Sequence, residues 1–212
     1  MQMNEQILEL IQMNEDNGSS MIKTHKQPIS VHTVFFDTDI GRPSQYRELI
    51  HLLLNAEEYD QFVIIINSVG GELSTACSII EAIKSTDAMV RCVIVGECHS
   101  AASIIALNCH NIMVTDSATM MVHTANFASM GSTGQIKSHV DFSSKRIRSL
   151  LESTYDGFLT KEEMSDLHKG VEHWFDSKEI AKRLGNRIKI QTEKHEAKKT
   201  KKVKPKVELL SE

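Results

Sequence analysis

Two hydrophobic periods alternate along this chain. Short apolar runs rich in β-branched and aromatic residues read as strands: Val31–Phe36, Phe62–Ile66, Met89–Val95, Ile112–Thr115 and Met120–His123. Phe62–Ile66 is unbroken, as expected of a strand buried on both faces. Between the runs the spacing turns helical. Pro43-Ser44 opens a helix carrying Tyr46, Leu49, Ile50 and Leu53. Leu73, Ala76, Cys77, Ile80 and Ile83 share one face of a second, and Ala101–Leu107 forms a third. Strand and helix in regular alternation predict βαβ units and a mainly parallel sheet.

After Gly131 the pattern changes. Ile136, Val140, Ile147, Leu150, Leu151 and Phe158 suit one long amphipathic helix. Thr160-Lys161-Glu162-Glu163 is a capping box that opens a short helix. Asp176 or Ser177 caps a last one, with a C-terminal stop expected at Gly185. The chain divides into a partly flexible N-terminal segment (1–28), a domain over 29–190 and a tail over 191–212. Asn17-Gly18-Ser19-Ser20 marks the first linker.

Composition narrows the class. Hydrophobic residues make up 41% and charged residues 25% of 212, which suits one soluble globular domain with tails. No apolar run approaches the ~20 residues that cross a bilayer, and Met1–Asn17 lacks the apolar core of a secretory signal. The net charge of -4 is uneven: residues 191–212 hold seven lysines against four glutamates. That basic tail has no aromatic residue, so it reads as solvated and disordered rather than as a nucleic-acid arm. Cys77, Cys92, Cys98 and Cys109 show no paired spacing and fit reduced thiols in the cytoplasm.

Three places carry candidate chemistry. Ser100 lies between the strand ending near Gly96 and the helix starting at Ala101. There a hydroxyl meets the positive end of a helix and unpaired N–H groups, a setting that suits a nucleophile. An N-cap is the bland alternative. Gly70-Gly71 follows a buried strand, where the backbone can approach a ligand and offer an N–H to an oxyanion, or simply turn. His123 ends a strand and is either a satisfied core residue or the base a nucleophilic serine needs. The Cys98-His99 and Cys109-His110 pairs match no zinc spacing, so neither a metal nor a cofactor is expected.

These pieces together resemble one family. Asn67-Ser68-Val69-Gly70-Gly71 resembles the N-S-P-G-G loop of the Clp protease proteolytic subunit, with valine for proline. Gly96-Glu97-Cys98-His99-Ser100 resembles its G-x-A-A-S nucleophile segment, and Met120–His123 its strand ending in the catalytic histidine. Trp174–Ala181, closing at Gly185, looks like its final phenylalanine and S-A-x-E-A helix. Order and approximate spacing agree over residues 31–188.

The resemblance implies an α/β fold, the ClpP/crotonase-like spiral of βαβ units with a long protruding handle helix. It implies a serine endopeptidase with Ser100 as nucleophile, His123 as base and an oxyanion hole from Gly71 and Ala101. Substrate polypeptide would add as a β-strand along Gly70, Thr124 and Ala125. Partners would be further copies of the chain in stacked heptameric rings and an ATP-dependent unfoldase, with no nucleic acid and no membrane. At the aspartate that orients the histidine in the family, this chain reads Glu172-His173-Trp174. The closest register puts His173 there, a one-residue slip puts Glu172, and Asp176 is next. A catalytically impaired ring subunit and a crotonase-type acyl-CoA enzyme are the alternatives. A serine–lysine peptidase is the weakest, since no lysine lies near these motifs.

Overall fold

The computed structural model describes residues 29–202. A parallel array carries the domain: β1 (Val31–Phe36), β2 (Gln61–Ser68), β3 (Met89–His99), β4 (Asn111–Val114) and β5 (Thr119–Val122). α1 (Arg47–Leu54), α2 (Leu73–Ser85) and α3 (Ala101–Ala106) alternate with the first four strands. The sheet order is β1-β2-β3-β5-β6, with β4 also on β3. β6 (His173–Asp176) is the one antiparallel member, paired to β5. α4 (Thr133–Tyr155), α5 (Lys161–His168) and α6 (Ser177–Lys202) complete the described elements.

Helices cover one face of the sheet. Phe62, Ile64 and Ile66 of β2 and Val90, Cys92 and Ile94 of β3 are fully buried beneath them. The residues between point the other way, and there the expected two-sided burial fails. Val63 and Ile65 are half-buried, while Phe35 and Met113 in the same cross-strand row are 62% and 60% exposed. An unbroken apolar run therefore marks a strand with one covered and one open apolar face.

Three further expectations change. β3 runs on to His99 instead of stopping near Gly96, because Glu97, Cys98 and His99 find new partners in β5. The last helix passes Gly185 and continues to Lys202, so residues 191–202 of the expected disordered tail are helical. Lysine, glutamate, glutamine and alanine favour that state, and a single mid-helix glycine costs only about 1 kcal/mol. The segment 1–28 and residues 203–212 lie outside the described residues. α4 begins at a Ser132–Gln135 capping box and ends before Phe158, which folds back edge-on to Phe175 in the core. Only its last turns are buried, through Leu151, Thr154 and Tyr155.

Candidate active site

Ser100 has φ 52° and ψ -120°, the one non-glycine positive φ among the described residues. Ser100 stands at the N-cap position of α3, but its side chain makes no cap hydrogen bond, so the hydroxyl is not spent on the helix start as it is in most N-cap serines. The strained turn instead aims the hydroxyl outward, at a cost the neighbourhood must offset. Three contacts hold it. Ser100 N–H donates to Met121 O at 2.8 Å, and Ser103 Oγ donates to Ser100 O at 2.7 Å. With its proton so committed, Ser103 Oγ accepts from the buried Tyr155 hydroxyl at 2.8 Å, tying the turn to α4. Burial pushes the Tyr155 phenol above its ordinary range.

His123 follows β5, whose parallel pairing to the far end of β3 brings it beside that turn. His123 Nε2 lies 2.6 Å from Ser100 Oγ. With the hydroxyl donating, Nε2 is the acceptor and the neutral ring carries its proton on Nδ1. Among the described residues this is the one side-chain hydrogen bond His123 makes.

The two glycines are required by contact. A Cβ on Gly70 would stand 2.6 Å from His99 O and 2.8 Å from Ser100 Cβ, and one on Gly71 would strike Ile40 O. Gly70 packs under the serine, its N–H taken by Ser68 Oγ at 3.2 Å. Gly71 N–H and Ala101 N–H have no acceptor among the described residues. Both residues line a cleft of about 520 Å³ with Ser100, His123, Ala125 and Asn126. Gly70 and Thr124 are not in that lining. Residues 124–131 make no backbone hydrogen bond among the described residues, so their polar groups are free to pair with another strand.

The third position is built differently from the other two. In β6, His173 stands opposite Val122, not opposite His123. Its Nε2 donates to the carbonyl oxygen of Glu163 at 3.1 Å, and its ring stacks on Phe175. The pairing ends there; only its continuation by one step would bring the exposed Glu172 across from His123. Asp176 is remote: it pairs with Thr119, about 13 Å down the strand, and Oδ1 accepts from Glu179 N–H as the cap of α6. Sequence reasoning missed β6 as a strand, though its alternation of half-buried, exposed, buried and exposed residues is the ordinary strand signal at short length.

The Cys–His pairs are structural. His99 Nε2 meets Thr119 Oγ1 at 3.0 Å, burial lowers its pKa, and Trp174 packs edge-on to it. His110 Nδ1 accepts from Val90 N–H at 2.9 Å. Cys98 is fully buried and its thiol is pushed well up by that burial. Among the described residues no three His, Cys, Asp or Glu side chains converge on a common point.

Comparisons with known proteins agree with this fold. A family model described as Clp protease matches residues 16–201. Among solved structures the chain is similar to a mutant of ClpP1 from Listeria monocytogenes, with a TM-score of 0.57 and 21% identity, covering 72% of this chain and 86% of that one. At that identity the likeness shows the fold. No curated protein matches the sequence. With a family match over residues 16–201, most of its length, this chain belongs to the Clp protease family.

Proposed function

We propose that the protein is a serine endopeptidase of the Clp proteolytic type, acting on unfolded polypeptide. The 2.6 Å contact between Ser100 Oγ and His123 Nε2, beside two unpaired N–H groups, carries the reading. Ser100 Oγ attacks the scissile carbonyl carbon while its proton passes to His123 Nε2. Gly71 N–H and Ala101 N–H receive the developing oxyanion. Collapse breaks the C–N bond, and His123 gives its proton to the departing amine. Water then enters by the same path and releases the acid. Substrate adds as a strand along the unpaired 124–131 backbone, with Ala125 in the cleft wall and Thr124 and Gly70 flanking it.

The imidazolium needs an acceptor at Nδ1. We assign His173 to that role. Its Nε2–H is committed to Glu163 O, so its neutral ring presents a bare Nδ1 lone pair. A second reading is Glu172, which the β5–β6 register, continued one step past Val122 and His173, would bring across from His123. A ring subunit with impaired catalysis is the outcome if neither serves. The acyl-CoA alternative has no use for a serine–histidine contact.

Assembly belongs to the same proposal: stacked heptameric rings, handle helices interleaved, with an ATP-dependent unfoldase as a further partner. Its support is uncovered apolar surface, Phe35 and Met113 on the sheet, Phe142 and Met130 at α4. Four free cysteines suit the cytoplasm, and no helix among the described residues is long and apolar enough to cross a membrane. A fluorophosphonate probe read by intact mass tests the chemistry. Labelling that disappears in Ser100→Ala is expected; an unlabelled wild type removes the nucleophile.

A further inference from the structure

The cleft around Ser100 carries charge of one sign. Asp39 and Glu72 line it, and no lysine or arginine does. A single backbone device sets both acids there. Ile40 and Gly71 form a parallel bridge, with Ile40 N–H donating to Gly70 O at 2.7 Å and Glu72 N–H to Ile40 O at 2.8 Å. Asp39 and Glu72 are the residues on either side of that bridge, one step from the free N–H of Gly71. Neither carboxylate enters an ion pair among the described residues. Glu72 accepts one hydrogen bond, from Ser74 Oγ at 3.2 Å, which steadies one oxygen and leaves the other open.

Apolar side chains form part of the remaining wall, among them Leu73, Ile104 and Leu151. An apolar wall under an acidic rim is complementary to a long hydrocarbon stem ending in a cation. It repels a carboxylate, which would enter a partly dry cleft against two like charges. We infer that the cleft selects polypeptide with lysine or arginine next to the scissile bond and rejects aspartate or glutamate there. This deepens the peptidase reading and rests on it. The cleft is a site because of Ser100 and His123; the two acids set what enters.

The test uses the full chain and fluorogenic peptides identical except at the two residues flanking the scissile bond, occupied in turn by Lys, Ala or Glu. Lys peptides should exceed Glu peptides in kcat/KM by about tenfold or more at low salt. The gap should narrow at high salt and close in Asp39→Asn/Glu72→Gln. Equal rates for all three, abolished by Ser100→Ala, would overturn the selectivity while leaving the peptidase intact. If none is cleaved, fluorescence anisotropy of the same peptides on the full chain decides. Tighter binding of Lys than Glu, lost in the double variant, supports the selectivity; equal binding ends it.

Discussion

His173 Nε2 is hydrogen-bonded to the main-chain oxygen of Glu163, ten residues earlier, at 3.1 Å. A carbonyl oxygen only accepts, so this contact fixes the histidine's tautomer from a distance. On the proposed assignment that leaves Nδ1 of His173 to accept from Nδ1 of His123. His173→Ala should then lower kcat/KM by roughly 10⁴-fold, the loss seen when an orienting group fails in related chemistry. Should Glu172 be the orienter, Glu172→Ala carries the loss instead, and His173→Ala leaves the rate near wild type.

Glu163 has its own charge to balance. Its carboxylate takes two hydrogen bonds from Arg183, both at 2.7 Å, and they hold its pKa down at about 2. Arg183 also lies 4.3 Å from the Phe175 ring centre, bracing β6. A depressed carboxyl pKa stabilises the fold above the ordinary glutamate range, and the gain is lost as pH falls toward 2. Glu163→Gln should cost about 1–3 kcal/mol in urea unfolding at neutral pH. The difference from wild type should shrink steadily between pH 5 and 3. A gap that stays constant would show that the pair contributes through packing alone.

Ser100→Gly separates strain from chemistry. Glycine accepts φ 52° without penalty, so the variant should lose probe labelling yet gain up to about 1 kcal/mol. For a domain of this size that raises Tm by roughly 2–4 °C. Ser100→Ala, which keeps a Cβ, should stay near wild type in scanning calorimetry. A lower Tm for Ser100→Gly would mean the turn is not strained.

Phe142 is 67% exposed on α4 and Met130 95% exposed just before it. If handle helices interleave between copies, Phe142→Glu should yield a smaller species by light scattering at micromolar concentration. A wild type already monomeric there would count against the chamber.

The βαβ order and the Ser100 junction were legible because the apolar runs close at a glycine or a polar turn. β6 was not, because His173-Trp174-Phe175-Asp176 is no apolar run and buries only Phe175. The end of β3 escaped as well, since polar Glu97 and His99 pair only with β5, a partner no local pattern reveals. Gly185 misled for the opposite reason: it is a genuine stop signal, outweighed by the helix formers on both sides. At the third position the sequence showed which residues compete, but not that the β5–β6 pairing ends with His173 opposite Val122, because register between distant strands leaves no local pattern.

The long β3 strand serves two neighbours in turn, β4 along Arg91–Ile94 and β5 along Glu97–His99. Between those neighbours, Thr115–Ala118 works as a gauge block. Thr115 N–H is pinned to Ile94 O at 3.0 Å and Ala118 N–H to Thr115 O at 3.1 Å. Removing one residue from the block would slide β5 by about 3.3 Å, more than a hydrogen bond can stretch, and flip its side chains to the other face. The flip would also carry Met120 and Val122, both fully buried, away from the core. The distance between Ser100 and His123 is therefore a tolerance held by one short turn, and a one-residue deletion there would cost both that contact and part of the core.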